Sequence, residues 1–240
     1  MRKHPYEILL DRKRKWSPVK PTVGVLKDGS EDTIRRALAA RHLELPVGAF
    51  IKEGLEKDVP GNARKLLEDN VKDEERHDLA LGYYADALGM DEKTEKEGKL
   101  LRDAWVNHPD HTITKALVAE RSVFFVLLPF FRFNGDAALR TISADISRDE
   151  QIHVGSNSLV CRELGLRPSN SLDKLRKATI NWIMEPLGIN TEDRYLDKKF
   201  WLDASDRLMY EGKAPEFVET QRARMPAFFE HSNVNLPKYA

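Results

Sequence analysis

The chain of 240 residues has a single cysteine, Cys161. That excludes an internal disulfide and any zinc site built on cysteines, and Cys161 itself reads as a core residue. An excess of charge of one sign is also missing, since 39 lysines and arginines meet 39 aspartates and glutamates. A neutral chain exerts no general attraction on nucleic acid or on an anionic membrane. No apolar run nears the roughly 20 residues that span a bilayer. The opening stretch MRKHPYEILLDRKRK has neither the apolar core nor the cleavage site of a secretory signal. There is no phosphate-binding loop, and no segment reads as rich in strands. These absences point to a soluble, cytoplasmic protein without a nucleic-acid or membrane partner. With 41% apolar residues, it has enough to build a sizeable core.

What is present is helical punctuation. Residues 1–30 are basic, then rich in proline and glycine, and read as an extended arm. Ser30 is placed to cap the first helix. Long helices are expected at about 31–57, 61–89, 111–134 and 135–165, with a shorter polar one at about 91–107. DVPG (Asp58–Gly61) and FNGD (Phe133–Asp136) mark the turns of two long hairpins. Pro46 and Pro129 fall inside helices and should bend them. After RPSNS, further helices are expected at about 171–185, 191–211 and 215–229. The division is then an arm (1–30), a helical domain (31–229) and a flexible tail (230–240).

Two short motifs carry chemistry. DEERH contains Glu74-x-x-His77, and DEQIH contains Glu150-x-x-His153. Residues three apart share a helix face, so each pair offers a carboxylate and an imidazole to one ion. One such pair is weak evidence, and KDEERHD could be a solvated helix face. The hairpins add the discriminating geometry. Facing residues of an antiparallel pair are equidistant from the turn. Reflecting Glu150 through Gly135 lands on Glu120, and reflecting Glu74 through the first turn lands near Glu44, each 30 residues away. His42 and Glu53 are nearby rivals for the place of Glu44. One lone glutamate facing one Glu-x-x-His, twice over, is the ligand pattern of ferritin-like dinuclear carboxylate bundles. The expectation is an all-α, ferritin-like four-helix bundle with additional C-terminal helices. Glu44, Glu74, His77, Glu120, Glu150 and His153 would hold two metal ions. Oxygen-rich ligation with two imidazoles suits iron or manganese. Phe124, Leu128 and Ile146 should line the metal-facing side with apolar bulk.

Three stretches carry a family resemblance. ISRDEQIH (Ile146–His153) is similar, nearly letter for letter, to the second metal-binding helix of the small, radical-generating subunit of class I ribonucleotide reductase. ERSVFF (Glu120–Phe125) resembles that family's lone-glutamate helix, and KWSP (Lys15–Pro18) resembles its N-terminal arm. The resemblance runs over about residues 15–165. The chain is short for that family and looks like a compact, phage-type version.

The resemblance implies an oxidoreductase of deoxyribonucleotide synthesis, active only with a separate large subunit, and itself a homodimer. It implies a dioxygen-derived oxidant made at the two metals. It assigns Asp149 to hydrogen-bond toward Trp16 and His77, Trp16 to relay the hole, and Tyr239 in the tail to pass it on. In one place the sequence departs from the family. The family's radical tyrosine falls four residues after the first histidine, where this chain has Leu81. Tyr84 lies seven after His77 on the same face, and Tyr83 points about 100° away. The oxidant then rests on the metals or on Tyr84. A dinuclear-metal oxygenase of a small apolar substrate such as an aldehyde, and a ferritin-like storage protein, are the alternative readings.

Overall fold

The computed structural model describes residues 3–57 and 59–212. The expected helix at 215–229, the tail and Tyr239 lie outside the described residues. The described residues are helical throughout, apart from the arm, the connections and one isolated bridge between Gly188 and Asp197.

The arm is not wholly extended. Helix α1 (Pro5–Leu10) interrupts it and packs on the bundle. Its start is well specified: Pro5 opens the first turn, His4 accepts from the Tyr6 N–H, and the Glu7 side chain returns to the His4 N–H. Tyr6 is buried and anchors it.

The first long helix is broken. Helix α2 (Glu31–Ala39) passes through a 3₁₀ turn (Ala40–Leu43) into α3 (Glu44–Lys57). The cause is Pro46. It has no N–H to bond back, so the chain tightens just upstream and proline falls in the first turn of a new helix. Ser30 stands at the start of α2 but donates its hydroxyl backward, to the Lys27 carbonyl.

Helix α4 (Arg64–Leu88) pairs antiparallel with α3, and α5 (Glu92–Val106) follows. The third long helix is also irregular. It runs as α6 (Thr112–Ala119), a π-helical turn (Glu120–Phe124) and α7 (Phe125–Asn134). Helix α8 (Ala137–Glu163) completes the second hairpin, with Asp136 accepting from the Leu139 N–H at its start. The bundle is therefore α3, α4, α6–α7 and α8, the ferritin-like arrangement. Gly48 on α3 lets α4 come close, since a Cβ there would sit 3.3 Å from the Glu74 Cβ.

Two C-terminal helices brace this bundle, α9 (Asn170–Met184) and α10 (Lys198–Glu211). Helix α10 starts later than the expected 191, because Asp197 caps it after a 3₁₀ turn at Arg194–Leu196. The brace reaches the π turn. Ser205 donates to the Ser122 carbonyl at 2.7 Å and Arg121 donates to the Leu208 carbonyl at 2.8 Å. The fully buried Arg176 donates to Ser205 Oγ, Asp173 and Asp206. A π turn leaves backbone groups out of the regular ladder, and α10 supplies a partner for one of them.

Candidate metal centre

The turn geometry brings the two motifs face to face. Glu74 and His77 lie on α4, Glu150 and His153 on α8, and one ligand atom from each falls within 4.8 Å of the others. Glu44 opens α3 and Glu120 opens the π turn, and both side chains join the group. His77 Nδ1 lies 3.6 Å from Glu44, 3.5 Å from Glu74 and 3.2 Å from Glu150. His153 Nδ1 lies 2.9 Å from Glu74, 3.8 Å from Glu120 and 3.6 Å from Glu150. All six side chains are buried. The rivals of Glu44 go elsewhere: His42 pairs with Glu95, and the exposed Glu53 pairs with Lys57.

Many of the cluster's inward-facing polar atoms lie close to one another without a well-formed hydrogen bond. Both oxygens of Glu74 and of Glu150 make no hydrogen bond. Neither do one oxygen each of Glu44 and Glu120, nor Nδ1 of either histidine. Leaving such groups dry and unmatched costs several kcal/mol in total. Carboxylates and imidazoles converging this way fit a pair of divalent or trivalent ions. Glu74 and Glu150 have both oxygens free to bridge, while Glu120 keeps one tied to Asn157 at 2.7 Å.

The outward-facing nitrogens are also held. His77 Nε2 lies 3.3 Å from Asp149, and His153 Nε2 lies 3.1 Å from Asp73. A ring N–H donated outward to a carboxylate leaves the inner nitrogen as a lone-pair donor, the usual support for a metal-binding imidazole. Asp73 was not singled out from the sequence. A signal was available, because each motif reads Asp-Glu-x-x-His and the aspartate of one motif serves the histidine of the other.

The two aspartates differ on their outer side. Lys13 and Arg76 bond Asp73. Trp16 Nε1 donates to Asp149 Oδ2 at 2.7 Å, with Arg76 at 3.3 Å from the same oxygen. The half-buried Trp16 ring stacks near His77, with centroids 6.1 Å apart, and the Arg76 guanidinium lies 5.5 Å from the indole.

Charge in the cluster follows from burial and these pairings. Burial raises Glu44 and Glu120 well above the carboxylate range, and raises Glu150 as well. Glu74 is driven the other way, because the two imidazoles outweigh its burial. His77 is raised well above its ordinary value against burial, by Asp149 and the surrounding glutamates, and His153 is raised to about 10. Asp73, despite burial, is lowered to about 2 by His153 and Lys13. Stripped of metal, the cluster balances itself with protons that an ion would displace.

The remaining expected residues spread out. Leu81 is buried. The Tyr84 ring is fully buried toward the α7–α8 turn, and its hydroxyl meets Asp136 without a well-formed hydrogen bond. Burial, then that carboxylate, raises its pKa. Phe124, Leu128 and Ile146 are buried. The π turn, however, adds about one residue after Glu120, so the even count that put Leu128 on its face slips by roughly one position.

A solved structure shares this fold. It comes from Bacillus halodurans and is described as a "putative class I ribonucleotide reductase". The two superpose with a TM-score of 0.63 over 91% of this chain and 97% of that one, at 14% identity. At that identity the likeness shows the fold alone. No family model matches the sequence, and no curated protein matches it.

Proposed function

We propose that the chain is the radical-generating small subunit of a class I ribonucleotide reductase, with Glu44, Glu74, His77, Glu120, Glu150 and His153 holding two iron or manganese ions. The observation that carries this reading is the hydrogen-bonded path His77–Asp149–Trp16, which leads from the buried cluster to the arm. A storage protein has no use for such a path. An oxygenase acts on a substrate beside its metals and has none either. The Bacillus halodurans neighbour supports it at the level of fold.

Metal bound in this site supplies one-electron oxidising power derived from dioxygen or a reduced oxygen species. The chain's residues set where that power can go. Burial keeps water from the six side chains. Asp149 holds the His77 ring and the Trp16 indole on one carboxylate. Were Trp16 to lose an electron, its Nε1 proton would have Asp149 Oδ2 as acceptor 2.7 Å away. An electron drawn from a cysteine of the large subunit then restores the indole. Tyr239 and the tail are the proposed link to that subunit, and a homodimer is the proposed assembly.

The test is turnover. Protein loaded with iron, manganese or both, exposed to oxygen and mixed with a class I large subunit should form deoxyribonucleotides. Trp16→Phe should abolish this while leaving metal content intact. Absence of turnover with every metal combination, alongside oxidation of a small aldehyde, would replace this reading with the oxygenase.

A further inference from the structure

Beside the Trp16–Asp149 pair lies a surface pocket of roughly 220 Å³. Three arginines line it, Arg12 and Arg14 from the arm and Arg148 from α8, with Leu9 and Ile152 as apolar wall. Asp149 is the one carboxylate lining it, and that group is already bonded by Trp16, Arg76 and His77. Arg12 and Arg14 have no carboxylate partner among the described residues. Arg148 has only Asp145, at 3.4 Å. The field extends inward, since the half-buried Arg132 has its charged form disfavoured by burial and then by Arg148. Three exposed arginines lining one pocket, with N–H donors to spare, can together receive a tetrahedral oxyanion, which accepts several charge-assisted hydrogen bonds at once.

We propose that this pocket binds the phosphoryl group of a small phosphate-bearing molecule, against Arg12, Arg14 and Arg148. A volume of roughly 220 Å³ suits one or two phosphoryl groups. The site is separate from the metal centre, and the proposal does not depend on what that centre oxidises. Because the pocket shares Asp149 with Trp16, the indole should report occupancy.

Calorimetry and tryptophan fluorescence on the full-length, metal-loaded protein test it, with inorganic phosphate, pyrophosphate and ATP as separate probes. Sodium chloride at matched ionic strength is the control. Saturable binding of about one anion per chain is expected, with a change in Trp16 emission. The double variant Arg12→Gln/Arg148→Gln should weaken it at least tenfold, with circular dichroism and metal content unchanged. Trp16→Phe should keep the calorimetric signal and lose the optical one. Binding of inorganic phosphate or pyrophosphate would make a free phosphate the source. Binding of ATP alone, still dependent on the arginines, would make it a nucleotide. Phosphate binding undiminished in the arginine variant would place the anion on the metals and overturn the proposal. So would saturation by an acidic peptide with none by any phosphate probe.

Discussion

The two Asp-Glu-x-x-His halves do the same thing on the inside and different things on the outside. Inside, each contributes a glutamate and an imidazole, and each aspartate steadies the histidine of the opposite helix. Outside, Arg76 reaches both aspartates, but Asp73 ends in Lys13 and Asp149 in Trp16. Ammonium and guanidinium groups cannot give up an electron, and an indole can. The duplicated inner halves suit metal binding, and the unequal outer halves set an oxidisable indole against one aspartate and not the other.

Mutation of the two aspartates breaks this comparison most sharply. Asp149→Asn and Trp16→Phe should both abolish nucleotide reduction, and Trp16→Phe should leave two metals per chain. Asp73→Asn should instead weaken metal binding by about 10- to 100-fold, the usual effect of losing such a support, yet restore turnover when metal is in excess. Equal loss of turnover in Asp73→Asn at full metal loading would erase the distinction between the halves.

Acidity sharpens the comparison next. In metal-stripped protein, His153 rises from 6.5 to about 10 and His77 also rises. A raised histidine contributes stability that is complete below 6.5 and lost as pH climbs through the folded value. The raised Glu44 and Glu120 act in the same direction above the ordinary carboxylate range. Asp73, lowered from 3.8 to about 2, contributes stability above 3.8 that is lost as pH falls through about 2. The metal-free melting temperature should therefore peak at mildly acidic pH and fall steadily toward pH 10. Metal affinity should rise over the same range, with protons released on binding. Thermal melts in chelator against pH, and calorimetric titrations in buffers of different ionisation enthalpy, check both. A metal-free melting temperature that climbs between pH 6.5 and 10 would contradict the charge assignment.

Tyr84 tests whether the inner halves suffice. Its ring lies about 10 Å along the helix axis from His77, at 1.5 Å per residue, and its phenol is dry. If the oxidant rests on the metals, as proposed, Tyr84→Phe should retain turnover and show no loss of a tyrosyl resonance. Loss of both would move the oxidant to this phenol. The smallest effect is expected at Lys13→Gln, which removes one of several partners of Asp73 and should cost no more than about 2–3 kcal/mol of stability.

The helical bundle was readable because its signals are local: alternating apolar faces, turns at DVPG and FNGD, and ligands three apart. The convergence of the six side chains was readable because hairpin reflection is simple arithmetic. Asp73 escaped notice because KDEERHD looks like solvated surface, and only the fold reveals that His153 comes to it. The π turn at Glu120 escaped because its stabilisation comes from Ser205, far along the chain. The 3₁₀ step before Glu44 was half legible in Pro46, which marked an irregularity but not its upstream position. Helix α1 could have been seen in His4-Pro5 and Glu7, a capping box hidden in a basic run. The arginine pocket had no sequence signature, since its three side chains meet only after the arm crosses α8.

The central claim is a dinuclear centre made by both halves together. Anomalous diffraction from crystals soaked in ferrous or manganous ions measures it directly. Two peaks about 3.5–4 Å apart, between Glu44, Glu74, His77, Glu120, Glu150 and His153, are predicted. A single tetrahedral ion, or peaks that touch neither histidine, would contradict it.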